Sequence, residues 1–271
     1  MARSDQYILG HRDAEHDRLR RQGEALAADA EWLFDQVGPL DGRRVVEIGC
    51  GPRGFLDLLS RRVGPEGHVV GVERSEEAVE AARKLVADLG LTNVKVIPGD
   101  GRSTELPRES FDLATARLVL VNVPAPEEVV REAVALIRPG GRIAWHDADW
   151  GLNLCDPPLA EWDRVVELFG LYAEANGMDL FAGRSLPRLL RQAGVIDIES
   201  RLIVNAYEPG NPARAILRDF LGNLEGRFLE AGLADADELE TLGDALARHI
   251  ANPDTYVISH LFVQAWGGKP A

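Results

Sequence analysis

Cysteine is nearly absent: Cys50 and Cys155 are the only two among 271 residues. Two thiols cannot build a disulfide framework or a conventional zinc site, so no metal centre is expected and a reducing cytoplasm is the natural compartment. No stretch approaches the roughly 20 consecutive apolar residues that cross a bilayer. The opening Met1-Ala2-Arg3-Ser4-Asp5-Gln6 has no apolar run behind it, and no secretory signal is expected. Positive charge is in deficit, with 30 Lys and Arg against 44 Asp and Glu and a formal net charge of -14. An acidic surface repels phosphate backbones. Lys/Arg clusters interleaved with aromatics are missing too; Arg18-Leu19-Arg20-Arg21 is short and fits the wet face of a helix. Nucleic acid is therefore not an expected partner. Internal repeats and low-complexity tracts are also lacking.

What is present is an ordinary apolar fraction, 45% hydrophobic residues with 27% charged, enough for one sizeable core and an added cap. Leu19, Leu26, Ala30, Leu33 and Val37 recur at helical spacing and predict a helix from about Asp13 to Val37, stopped by Gly38-Pro39. The period then changes. Short apolar strands are expected at 44–48, 68–73, 93–97, 111–116 and 141–146, separated by helical stretches, one of them capped by Ser75 and another covering 126–137. Strands alternating with helices predict an α/β fold with a mostly parallel sheet and helices on both faces. Beyond Asp149 helices are expected at about 158–175, 185–193, 213–229 and 236–250, and strands at 196–204 and 256–266. The excursion between those last two strands is too long for a turn and predicts a helical lid. The division is thus an N-terminal helical cap at 1–40, a core of 41–205 and 254–271, and a lid inserted at 206–253.

The strongest local feature is Glu47-Ile48-Gly49-Cys50-Gly51-Pro52-Arg53-Gly54, followed by Glu73 at the end of the next strand. Glycines at a strand-to-helix turn let the backbone approach a bound nucleotide, and an acid about 20 residues on can accept both ribose hydroxyls. Charge separates two cofactors. A dinucleotide brings a pyrophosphate, which sits badly beside Glu47. S-adenosylmethionine (SAM) brings a sulfonium and an ammonium, which a carboxylate at 4 Å attracts by about 1–4 kcal/mol.

The ordered series Val45-Val46-Glu47-Ile48-Gly49-Cys50-Gly51, Val70-Gly71-Val72-Glu73, Gly99-Asp100, Phe111-Asp112-Leu113 and Leu136-Ile137-Arg138-Pro139-Gly140-Gly141 resembles the class I SAM-dependent methyltransferases. The flanks, Tyr7-Ile8-Leu9-Gly10, Asp147-Ala148-Asp149-Trp150 and Gly183-Arg184-Ser185-Leu186-Pro187, resemble the small-molecule type related to the ubiquinone/menaquinone enzymes. The resemblance implies a Rossmann-like fold with a seven-stranded sheet, and SAM converted to S-adenosylhomocysteine (SAH). It also implies Gly49 and Gly51, with Cys50 between them, along the methionine part, Glu73 on the ribose, Asp100 and Gly101 at the adenine, and Arg117 at the mouth of the site. Where such proteins often carry a histidine after strand four, this chain has Asn122-Val123-Pro124-Ala125-Pro126. The Asn/Asp-Pro-Pro-aromatic run of base-amine methylation is replaced by Ala116-Arg117-Leu118-Val119, which again points to a small organic acceptor.

In-line methyl transfer needs alignment first and a base only if the acceptor must lose a proton. His146, closing the fifth strand, is the candidate base; the bland reading is that it packs against the next loop. Asp147 and Asp149 either bind a cationic group, orient His146 or cap the turn. Tyr7 either folds over the acceptor or anchors the terminus, and Asn122 is a weaker acceptor contact. Trp150 and Tyr172 read as aromatic core before pocket lining, and His249 and His260 as structural or surface. Lid residues Phe220, Leu221, Leu224 and Phe228 bury either substrate or a second subunit of a homodimer. The rival functions are a SAM-binding enzyme of other chemistry, a non-enzymatic SAM-binding protein and an NAD(P)-dependent oxidoreductase.

Overall fold

The computed structural model describes residues 27–271. Tyr7 and the first half of the expected N-terminal helix lie outside the described residues. The elements in order are α1 (Ala27–Gln36), β1 (Arg44–Ile48), α2 (Leu56–Val63), β2 (His68–Glu73), α3 (Glu76–Asp88), β3 (Val94–Pro98), β4 (Phe111–Arg117), α4 (Pro126–Leu136) and β5 (Ile137–Asp149). There follow β6 (Leu154–Asp156), α5 (Ala160–Ala175), α6 (Ala182–Gln192), β7 (Ile196–Ile203), β8 (Ala206–Tyr207), α7 (Ile216–Glu230), α8 (Ala236–Ala251), β9 (Tyr256–Ile258) and β10 (Leu261–Gly268). Sequence chemistry explains the starts. Ser75 Oγ accepts from Ala78 N at 3.3 Å, with Glu76 and Glu77 in the first turn of α3. Pro126 opens α4, where its missing N–H costs nothing.

The main sheet has seven strands in the order β3-β2-β1-β4-β5-β10-β7, parallel from β3 to β5, with β10 antiparallel to both β5 and β7. This is the Rossmann-like class I methyltransferase architecture that the sequence predicts. Apolar side chains alternate between two cores. Val45, Leu113, Ala144 and Trp266 face α1 and α2. Val46, Ala114, Ile143 and Ala265 face α4 and α6. Burial of such side chains, worth about 1.5–3 kcal/mol each, is what fixes the strand register.

Three differences from the sequence reading matter. The fifth strand continues to Asp149, so Asp147 lies within it rather than beyond it. The expected strand 256–266 divides at Ser259-His260 into β9 and β10. Lastly, β6, β9 and β8 form a separate three-stranded antiparallel sheet, whose pieces of two or three residues leave no periodicity to read. The excursion at 206–253 is helical, and Leu217, Phe220, Leu221, Leu224 and Phe228 of α7 are buried within this chain. Arg214, 4% exposed, bonds the carbonyls of Tyr207, Ile250, Asn252 and Thr255 at 2.9–3.3 Å, tying the entry of the excursion to its exit.

Candidate functional site

Strand β1 delivers the chain to a turn in which Gly49 and Gly51 adopt φ of +64° and +56°. The N–H groups of Gly49 and Cys50 donate to the Val72 carbonyl at 2.8 and 3.1 Å, holding the turn against β2. A Cβ on Gly49 would stand 2.6 Å from Val119 Cγ2, whereas one on Gly51 would meet nothing within 4 Å. Gly49 is thus needed for close approach, and Gly51 for its backbone conformation beside open space. Gly51 N–H donates to Glu73 Oε2 and Ser75 N–H to Glu73 Oε1, both at 2.9 Å, so the turn itself orients the Glu73 carboxylate. Asp100, just past β3, accepts from the Arg102 N–H at 2.9 Å and from its guanidinium at 2.6 Å. That hydrogen-bonded pair holds the Asp100 carboxyl below its ordinary range. At Gly101 a Cβ would come within 2.7 Å of Ile48. Glu132 anchors the same loop by accepting from Thr104 N and Oγ1 at 2.9 and 2.6 Å.

Glu47 is fully buried. Its Oε1 accepts from Phe55 N–H at 2.7 Å, and its Oε2 has no hydrogen-bond partner. Burial pushes its pKa to about 8, against the opposing pull of Arg117 and the Phe55 amide. Cys50, 2% exposed, has its thiol pushed up by burial and then by the Glu47 and Glu73 carboxyls, which keeps it protonated. Arg117 ends β4 in register with His146, its guanidinium 5.0 Å above the Phe55 ring. His146 is fully buried and meets Phe262 edge to face at 5.2 Å. Burial, then Arg117 and Arg201, depress its pKa to about 3, which suits a neutral hydrogen-bonding imidazole far better than a proton store.

Asp147 points away from His146. Its carboxylate accepts from the N–H groups of Val119, Leu120 and Val121 at 3.1, 2.7 and 3.2 Å, and from its neighbour Ala148 at 3.0 Å. Those bonds hold the loop after β4, where Leu118 takes φ +54° and Asn122 Nδ2 donates to the Leu118 carbonyl at 2.8 Å. Asp149 forms a two-pronged pair with Arg184 and accepts from Gly151 N–H at 2.8 Å. Trp150 stacks on His260 at 4.5 Å and meets Phe169 and Phe220 at 4.5 and 5.0 Å, placing His260 inside an aromatic cluster. The structure therefore brings Glu47, Gly49, Cys50, Gly51, Glu73, Asp100, Gly101 and Arg117 to one end of the sheet. It directs His146 and Asp147 to opposite faces. Gln264 and Thr115, fully buried polar residues in apolar strands, were missed by motif reading; a lone polar residue at an inward position was the available signal. Among the described residues no cluster of His, Cys, Asp and Glu could hold a metal ion.

This donor set fits SAM. Three carboxyl groups stand within β1, at the end of β2 and just past β3, one of them with an orphaned buried oxygen, and open space lies beside Gly51. A pyrophosphate would have to displace Glu73 from the Gly51 N–H. Comparisons with known proteins agree. The family described as "Methyltransferase domain" matches residues 39–193. A demethylmenaquinone methyltransferase of Listeria welshimeri is 31% identical over 210 residues, 77% of either chain. Nocamycin O-methyltransferase of Saccharothrix syringae is 37% identical over 135 residues, 49% of this chain and 46% of that one. Among solved structures, phosphoethanolamine N-methyltransferase 2 of Haemonchus contortus with SAM superposes at TM-score 0.58 and 17% identity. That match covers 90% of this chain and 53% of the other, so the present chain spans about half its length.

Proposed function

The chain belongs to the methyltransferase-domain family, and from that premise we propose that it moves a methyl group from SAM to a small organic acceptor held under the 206–253 lid. The observation that carries this reading is Glu73, fixed by the Gly51 and Ser75 amides where a ribose diol can add its hydroxyls to the free lone pairs. When bound, SAM supplies an electrophilic methyl on sulfur. The chain's residues then do the rest. Gly49 and Gly51 shape the floor, Glu73 and Asp100 fix the nucleoside, and Glu47 stands behind the turn as counter-charge for the cationic end. Asp147 is a positioning residue, because it sets the Val119 loop that packs into the space left by Gly49. Tyr7 remains the candidate acceptor contact from the N-terminal segment, and His146 a neutral hydrogen-bonding wall rather than the base.

The lid's apolar residues are satisfied inside the chain, so this reading needs no second subunit; light scattering would report a dimer. Among the described residues no helix is long and apolar enough to cross a membrane. The test is SAM binding by native protein and its loss in Glu73→Ala, followed by an acceptor screen on product mass. A product without the added methyl would favour other chemistry on the same scaffold.

A further inference from the structure

One face of the sheet carries an unusual staircase of polar side chains. Register pairs Glu47 with Thr115, then, one two-residue step further along β4, Arg117 with His146, His146 with Gln264 and Gln264 with Arg201, so the run touches five strands. Glu47 and Thr115 are level with the apolar Ala144 and Trp266, and the Arg117, His146, Gln264 and Arg201 part lies one step beyond them on the same face. Glu47 Oε2, Thr115 Oγ1, His146 Nε2, Gln264 Oε1 and Arg201 Nη1 are all buried without a hydrogen-bond partner among the described residues. Each such atom gives up its hydration without a replacement bond, and buried groups left open together are a mark of a site.

The hydrogen bonds assign what the staircase offers. Gln264 Nε2 donates to the Asp29 carbonyl at 2.7 Å, which fixes the amide's orientation. The same nitrogen faces His146 Nδ1 at 3.4 Å, making Nδ1 the acceptor and leaving the proton on Nε2. His146 therefore presents an N–H. Arg201 is held by Asp29 at 3.2 Å and by the Trp32 ring at 4.4 Å, with Nη1 still free. Arg117, partly exposed, makes no hydrogen bond or ion pair among the described residues and meets only the Phe55 ring. The Arg117 guanidinium and the His146 N–H stand side by side on the adjacent strands β4 and β5, with Arg201 two strands further on, and such a pair of unfilled donors calls for an anionic oxygen group. Beside them Phe262, His260 and Trp150 continue as a wall of rings toward the lid.

We propose that the Arg117–His146 end of this staircase is the acceptor subsite and that it selects acceptors carrying a carboxylate on an apolar or aromatic body, with Arg117 as the anchor and Glu47 left to the cofactor. The proposal rests on the methyltransferase reading. Carboxylate chemistry has a second source, the amino-acid end of the cofactor, and SAH retains that end, so the two can be told apart.

The experiment is calorimetry on SAH-loaded protein with benzoate and phenylacetate against benzamide and phenylacetamide. Native protein is expected to prefer each carboxylate by about tenfold or more. Arg117→Met should lose that preference while keeping SAH affinity within about threefold, and Arg117→Lys should regain part of it. The Lys variant carries the test if the Met variant does not fold. Equal binding of carboxylates and amides to SAH-loaded native protein overturns the proposal and leaves the function standing. Parallel loss of SAH and benzoate in Arg117→Met also overturns it, by giving Arg117 to the cofactor. Failure of native protein to bind SAH removes the underlying reading and the proposal with it.

Discussion

At neutral pH the Glu47 carboxyl of the cofactor-free protein carries a proton, because burial raises its pKa from 4.5 to about 8. Attraction to a sulfonium or ammonium is then available only when that proton leaves. SAM affinity should rise with pH between about 6 and 8, by up to tenfold per unit, with a proton released on binding. Calorimetry in buffers of different ionisation enthalpy measures that proton, and Glu47→Gln should abolish it. The same shift acts on stability. Between pH 4.5 and about 8 the folded state holds a proton that the unfolded state has lost, so this group's contribution falls as pH rises through that window. His146 works in the other direction. Its pKa falls from 6.5 to about 3, so its contribution is complete above pH 6.5 and is lost as pH drops toward 3. Denaturant midpoints of His146→Phe against native protein at pH 5 and 7.5 would show the variant's relative stability improving in acid.

Among the elements, the glycine turn and the loop after β4 behave as one unit. Val119 fills the space where Gly49 lacks a Cβ, and Asp147 holds Val119 from behind. Gly49→Ala adds a left-handed strain of about 1 kcal/mol to that clash, and its thermal midpoint should drop with SAH binding lost. Asp147→Ala strands four backbone N–H groups and should cost about 3 kcal/mol, with KM for SAM rising more than kcat falls. In the helical excursion, Arg214→Ala should expose residues 208–255 to protease while leaving SAH binding in place. These elements also mark how far sequence reaches. The strands through β4 were legible because buried parallel strands are short apolar runs between glycines, and Glu47, Gly51 and Glu73 because their motif spans one strand–turn–helix unit. Asp147 was misread as a residue beyond the strand, since its partners are backbone amides 26–28 residues upstream, which no side-chain pattern records. Gln264 and Arg201 became neighbours of His146 only through antiparallel register at the far side of the sheet.

Over the whole molecule the net charge of -14 and the Glu73 and Asp100 carboxylates at the strand ends point the same way, toward a cationic cofactor and away from phosphate. The two cores on either side of the sheet hold the strand ends still. The most direct measurement is a calorimetric titration of native protein and Glu73→Ala with SAM, SAH and NAD. Micromolar binding of SAM and SAH by native protein is predicted, with loss of about tenfold or more in the variant and no heat from NAD. NAD binding without SAM binding would contradict the account.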